Sequence, residues 1–410
     1  MRYSHIFLAL VVVLLLALPS FTSTFLVNAS IQVLIAALFA SAFNVLAGQG
    51  GMLSFGHAAY FGIGSFATIH AMNAVGGTGL LPTPLLPLMG GLAGCLFGLI
   101  AGWFSTKRSG IYFSMITLAL AELLHALAPQ LKGVFGGEAG VSSMRMPAWG
   151  VTFGSATQVY YLTLAWVLVS LGLLYFFTRT PLGRLTLGLR ENSHRLRFLG
   201  YNVHALQVLV FTISATFSGI AGGLQALNNE AANYVVFDVN LSAQVVLNSY
   251  IGGVGFFFGP AFGAAIMTFF GYVVSDLTRT WLLYQGVIFV LVMMFLPKGL
   301  FGITQWRMIR NNSHSAVTMV SVLGAGCVGF LLAASGIVFL IELSERLLAQ
   351  SYQSILPDSG GWPSVTLFGL KWLPGAIVTW LLPAALIVAG AGALRLAHFK
   401  WQLALQRLTA

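Results

Sequence analysis

Apolar runs close to the ~20 residues needed to cross a bilayer recur about a dozen times along this chain. In lipid, every backbone N–H and C=O has to find a partner inside the protein, so a chain patterned this way folds as helices. The composition agrees. Of 410 residues, 58% are hydrophobic and only 7% are charged, against about a quarter charged in an ordinary soluble domain. So few charges could not cover a cytosolic enzyme, and a disordered chain or a collagen-like fibre is excluded as well. The expected fold class is all-α: a polytopic integral membrane protein of about 10–12 transmembrane helices with Gly-rich broken or re-entrant segments.

The expected spans are 6–25, 30–47, 52–73, 83–105, 110–128, 158–178, 208–228, 241–257, 260–276, 283–297, 316–341 and 373–394. The short pair 241–257 and 260–276, joined by Gly259 and Pro260, reads as two short spans or one re-entrant hairpin. With the N-terminus in the cytoplasm, 14 of the 19 basic residues fall in inner loops, five of them (Arg179, Arg184, Arg190, Arg195 and Arg197) in one loop. That is the positive-inside bias. The net charge of +10 is therefore an orientation signal, not a nucleic-acid footprint, and both termini are expected in the cytoplasm. Arg2 followed by Ile6–Leu18 resembles a signal peptide, but no Ala-x-Ala-like site follows. Removing the segment would also upset the loop parity, so it reads as a retained first span. Cys95 and Cys327 lie in apolar runs and read as free packing thiols.

Residues 1–302 form one dense membrane block, and 303–410 read as a C-terminal extension with an added transmembrane helical hairpin. The outer loop Pro129–Gln158 is rich in glycine and reads either as a connector or as a segment that meets a partner or covers a substrate entrance. In the inner loop Thr178–Leu206, Leu185, Leu189, Leu196 and Leu199 recur at helical spacing among arginines, and Gly200 supplies a helix stop. This predicts a short basic amphipathic helix on the cytoplasmic surface, attracted to anionic lipid or docked on a cytoplasmic protein.

Glycine organises the block. Gly90, Gly94, Gly98 and Gly102 recur every fourth residue and predict a close helix–helix contact. Two other clusters, Gly48–His57 and Gly252–Pro260, interrupt apolar stretches in the two halves of the block. Such paired interruptions point to a transport pathway, because broken helices are tolerated at membrane depth only when buried or lining a cavity. Asn44, Gln49, Ser54 and His57 near the first cluster, with Asn248 and Tyr250 before the second, are the candidate pathway residues. A structural role through helix-packing hydrogen bonds is the competing reading for each.

Motifs for chemistry are missing. None of the five lysines completes a Walker A loop, so ATP binding of that kind is not expected here. The run Gly62–Ala67 matches GxGxxA but sits inside an apolar span without a preceding strand. There is no HExxH or GxSxG, and the histidines lack metal-ligand spacing. Glu122 is the single acid well inside a span, with His125 one turn on, and the pair reads as a hydrogen bond between helices.

The run Phe43–Gly64 resembles the signature of the LivM-type permease of branched-chain amino acid ABC importers. Further agreement lies in Ser109–Ala119, Leu189–Asn192 with Leu199 and Gly200, Ile251–Gly263, and Phe295–Gly302. The resemblance spans residues ~30–302, and the tail after Gly302 departs from it. It implies a bacterial inner-membrane permease subunit, with no cofactor of its own and no metal, paired with a second permease. Two cytoplasmic ATPase subunits holding ATP and Mg, and an extracytoplasmic substrate-binding protein, complete the implied assembly. It places Arg190, Glu191, Arg195, Leu199 and Gly200 in the ATPase-coupling loop. The implied cargo is a branched-chain amino acid or a related small polar solute such as urea, an amide or a carboxylate. An ATP-independent carrier or channel is the alternative.

Overall fold

The computed structural model describes residues 2–75, 81–276, 278–296, 298–302, 313–355 and 362–409. Among these are fifteen α-helices and four strands of two or three residues. The helices are α1 (Arg2–Phe21), α2 (Thr24–Asn44), α3 (His57–Val75), α4 (Pro87–Ser105), α5 (Ile111–Leu127), α6 (Lys132–Phe135), α7 (Ala156–Arg179) and α8 (Pro181–Phe198). They continue with α9 (Val203–Asn229), α10 (Val239–Gly252), α11 (Gly259–Ser275), α12 (Trp281–Phe295), α13 (Ser313–Leu348), α14 (Gln350–Ile355) and α15 (Ile377–Thr409). Six segments are long and apolar enough to cross a membrane: Thr24–Gln49, Thr83–Ser105, Ala156–Arg179, Val203–Asn229, Gly324–Leu348 and Ile377–Ala397. Four shorter apolar helices accompany them. The chain is an all-α multi-pass membrane protein.

Two compact units divide the chain: 1–277 with 285–303, and 278–284 with 304–410. In the first unit α9 is the central helix, with α3 and α4 on one flank and α2 on another. The contact of α4 with α9 is made of glycine. Gly90, Gly94, Gly98 and Gly102 are all buried. A Cβ on Gly94 would lie 2.5 Å from the Ala215 carbonyl, and one on Gly90 2.6 Å from that of Gly219. Gly64 of α3 meets Gly219 too, so three backbones converge at one point. Lipid is as apolar as leucine, so such close packing is what holds membrane helices together. The opposite face of α4 exposes Leu92, Leu96, Leu99 and Trp103.

Proline shapes the first helix. Pro19 lies inside α1 and has no N–H to offer the carbonyl four residues earlier. The freed Leu15 carbonyl accepts instead from the Tyr160 hydroxyl of α7 at 2.7 Å, and Leu16 accepts from Tyr161. Tyr160 is fully buried, so this bond satisfies a phenol that water cannot reach.

The segment between α5 and α7 is folded onto α3 and the chain after α9. Strand β1 (Val141–Ser142) pairs antiparallel with β2 (Ala231–Ala232), just after α9. Glu230, in the left-handed region at φ 53°, accepts from both the backbone and Nε of Arg145. His70 and Asn73 of α3 reach the carbonyls of Val134 and Ser142. The hydrogen bond between helices expected of Glu122 and His125 is not found among the described residues: His125 lies against the ring of Tyr234, and Glu122 is exposed on α5. One turn of separation puts both on one side of the helix, but packing against Tyr234 takes the imidazole away.

In the second unit α13 packs along α15 through small residues, Gly329 against Gly390 and Gly336 against Pro383 and Ile387. The hairpin β3 (Val365–Leu367) and β4 (Leu370–Trp372) closes over Phe339 and Leu343. Glu342 accepts from the hydroxyls of Tyr284 and Thr280. Cys95 is a free, half-buried thiol, whereas the Cys327 side chain lies outside the described set.

Replacing Gly94 by leucine should cost about 1–3 kcal/mol or prevent assembly, because the neighbours are backbone and cannot yield. Gly172→Leu on α7, where nothing lies within 4 Å, should be tolerated. Protein level in membranes and the thermal midpoint in detergent check both.

Candidate functional site

Helix α2 does not stop at Asn44 but runs into one π-helical turn, Val45–Gln49, followed by extended chain up to α3. A π turn interrupts the regular ladder and is often found at functional positions. The backbone groups released here are met by side chains from elsewhere. Ser114 of α5 donates to the Leu53 carbonyl, and Thr117 accepts from Phe55 N–H. Ser242 of α10 accepts from Ala58 N–H at 2.9 Å, and Arg190 of α8 donates to the Gly48 carbonyl at 2.8 Å. Gly56 presses on the Thr117 carbonyl, where no Cβ would fit.

His57 opens α3 inside this region, 1% exposed among the rings of Phe43, Tyr60 and Phe211. Its Nε2 is 2.8 Å from Ser214 Oγ and its Nδ1 3.0 Å from Ser54 Oγ. The Ser214 hydroxyl donates to the Ala42 carbonyl, so Nε2 carries the proton and donates to Ser214. Nδ1 then accepts from Ser54, whose oxygen accepts from Gly56 N–H. The chain of hydrogen bonds is closed, and His57 joins α2, α3 and α9.

The second glycine cluster meets the first. Between α10 and α11 the chain turns at Gly253, with φ at 110°. Asn44 Nδ2 donates to the Phe256 carbonyl at 3.3 Å, and a Cβ on Gly48 would lie 2.5 Å from the Val254 carbonyl. Asn44 Oδ1 and Gln49 Oε1 are buried without a hydrogen-bond partner among the described residues.

Helix α8 lies beneath this seam. Thr180 caps it by accepting from Gly183 N–H, and Pro181 takes the first-turn position that needs no donor. At Asn192 the backbone is extended, and the Asn192 side chain accepts from Arg195 N–H to start a second helical piece. The end is a Schellman motif: Tyr201 N–H donates to the Leu196 carbonyl and Gly200 N–H to that of Arg197, with Gly200 at φ 88°. Gly183, Thr186, Leu189 and Leu196 are buried. Glu191 and Arg195 are exposed, as are Phe198 at 92% and Leu199 at 67%. Leu199, read from spacing as part of the apolar face, points outward because Asn192 breaks the periodicity.

At the other end of α9 is a cavity of about 420 Å³ between α2, α3, α9, α10 and α11. Its walls mix amides (Gln32, Gln225, Asn229, Asn233, Gln244 and Asn248) with Ile35, Phe39, Phe61 and Leu241. Asp238, the charged member of the lining, caps α10 and accepts from both the backbone and the side-chain amide of Asn240. The volume lies in the range of small-molecule sites, and the lining suits a small solute with apolar and polar parts.

The profile of a family described as branched-chain amino acid transport system / permease component matches residues 25–297. The chain belongs to this family. It is 27% identical over 324 residues to the high-affinity branched-chain amino acid transport system permease protein LivM of Salmonella typhimurium, covering 73% of this chain and 75% of that protein. The protein of the same name in Escherichia coli is 27% identical over 326 residues, with the same shares. A probable branched-chain amino acid transport permease protein LivM of Methanocaldococcus jannaschii is 25% identical over 306 residues, 64% of this chain and 84% of that protein. No solved structure matches the chain.

In this permease the residues singled out from sequence fall into separate places. Asn44 and Gln49 sit in the seam, Ser54 and His57 in the buried hydrogen-bond chain, and Asn248 on the cavity wall. Tyr250 is half-buried on α10, packed against the main core and outside the cavity lining. Gln32, Gln225, Asn229 and Gln244 were not singled out from the sequence. Their signal was present, since polar side chains in membrane helices usually face a bundle interior or a cavity, and Gln244 precedes Asn248 by one helical turn. Among the described residues no cluster of His, Cys, Asp and Glu could hold a metal ion.

His57→Ala would strand Ser54 and Ser214 and leave a cavity among aromatic rings, a loss of about 2–4 kcal/mol. Thermal unfolding in detergent should show this. A variant of undiminished stability that fails to transport would place His57 in the pathway instead.

Proposed function

We propose that this permease is the membrane-spanning part of an ATP-driven importer for a branched-chain amino acid or a related small polar solute such as urea, an amide or a carboxylate. It works with a second permease, two cytoplasmic ATPase subunits that hold ATP and Mg, and an extracytoplasmic binding protein. In this scheme it lies in a bacterial inner membrane with both termini in the cytoplasm and breaks no bond itself.

The observation that carries the reading is the placement of two unlike features at opposite ends of α9, whose 27 residues span about 40 Å. At one end is α8, basic, kinked and exposing Glu191, Arg195, Phe198 and Leu199 together. A helix resting on lipid presents one apolar face downward, whereas here charged and apolar side chains stand exposed side by side, as a protein groove would require. At the other end is the amide-lined cavity.

Binding of ATP closes the ATPase pair and displaces α8. The displacement tilts helices against the partner permease and changes which side of the membrane the pathway faces. The binding protein delivers the solute to the outer face, where the cavity amides take over hydrogen bonds the solute had with water. The solute then passes inward between the two permeases. Apart from Asp238 the cavity walls are neutral polar and apolar side chains, and selection falls to the binding protein.

Glu191→Lys should abolish leucine uptake by whole cells while the chain stays in the membrane, and normal uptake would remove Glu191 from the docking role. Uptake that survives ATP depletion but collapses with the membrane potential would favour an ATP-independent carrier. Gln244→Leu should raise the KM for uptake about tenfold, equivalent to ~1.4 kcal/mol, with little change in protein level.

A further inference from the structure

Resting on the importer reading, we propose that Arg190 is a positioning residue that transmits displacement of α8 into the seam between the two glycine breaks. It does so by exchanging one hydrogen-bond acceptor for another. Most of the exposed residues of α8 face outward, but the Arg190 guanidinium turns in, its Nη1 2.8 Å from the Gly48 carbonyl. The backbone of α8 comes in with it. Gly51, at φ 68°, lies so close that a Cβ there would be 2.9 Å from the Arg190 Cα. Any other residue at 51 would be both strained and obstructed. Arg190 thus supplies a cation and a donor to the carbonyl end of the α2–π segment, where helix geometry leaves acceptors unmet.

Gly48 also lies close against the second break, at the Val254 carbonyl, and Asn44 donates to the Phe256 carbonyl beside it. The second break leans in turn on the chain that follows α12, with Gly253 against the Lys298 carbonyl. One contact from α8 therefore bears on both breaks.

Two orphaned atoms are what a second arrangement of this seam would satisfy. Asn44 Oδ1 and Gln49 Oε1 are the buried side-chain polar atoms left without a partner among the described residues, and both belong to the seam. Buried acceptors without donors are costly and rare in native structures. A guanidinium has five N–H donors in a planar fork, and Gln49 is the immediate neighbour of Gly48. A shift of α8 along the seam moves the Arg190 donors from the Gly48 carbonyl to the Gln49 side-chain oxygen. That frees the π turn from its external tie and satisfies an acceptor the present arrangement leaves bare.

The test uses the complete transporter with its binding protein in proteoliposomes, with leucine as the probe. Arg190→Gln should lower the leucine moved per ATP hydrolysed about tenfold, with all subunits still co-purifying, and Arg190→Lys should restore part of it as a single-point donor. Gln49→Leu should raise the thermal midpoint of the purified complex by about 2 °C by removing the orphan acceptor, and should slow uptake several-fold. A residue that only fills space would lose stability and uptake together. An unchanged leucine-to-ATP ratio in Arg190→Gln, or a destabilised Gln49→Leu, overturns the proposal. Should Arg190→Gln fail to assemble, Gln49→Leu decides alone. ATP depletion separates the two levels: uptake that survives it and collapses with the membrane potential brings down the importer reading itself. Uptake lost on ATP depletion, beside an unchanged ratio in Arg190→Gln, removes only the link.

Discussion

A backbone polar group at membrane depth has nowhere to go but another part of the protein, and the stretch from Val45 to Ala58 is where this permease meets that demand without a helix. Ser114 and Thr117 from α5, Ser242 from α10 and Arg190 from α8 take up what the break releases. Those three helices are thereby fixed around one irregular segment by directional bonds, while α4 is held on α3 and α9 by close packing of glycine and alanine. The irregular segment is polar, confined and connected, and the smooth contacts around it are not. A change of shape concentrates at such a place, because packed interiors switch between discrete arrangements and do not deform gradually.

Sequence reasoning reached the features that are local. The four-residue glycine repeat of α4, the stop at Gly200 and the two breaks rest on backbone geometry that a few neighbouring residues dictate. It did less well with features assembled from distant parts of the chain. The cavity draws its amides from α2, α9, the segment after α9 and α10, and they form no motif in any one of these. The pairing of His57 with Ser214 spans 157 residues, and nothing near either one announces the other. Glu122 and His125 illustrate the reverse error: correct spacing along one helix said nothing about Tyr234, which arrives from after α9 and takes the ring. The kink at Asn192 was likewise hidden, since asparagine inside a helical pattern is only mildly unfavourable.

The site is divided between the two ends of one helix. The polar cavity lies where α9 ends and the basic surface helix where it begins, and between them runs a helix whose contacts with α3 and α4 are backbone against backbone. Such contacts let helices slide or tilt as rigid rods while resisting bending. Asn248 stands on the cavity wall, on the same short helix that ends at the second glycine break. A movement of that break would therefore reach the cavity through α10 itself, fourteen residues long.

The pairing of Tyr160 with the carbonyl freed by Pro19 has a bearing on how the molecule is made. A phenol sealed from solvent must find its acceptor when its own helix enters the bilayer, and that acceptor was synthesised about 145 residues earlier. The phenol of α7 and the proline-freed carbonyl of α1 therefore complete one another only once both helices lie side by side.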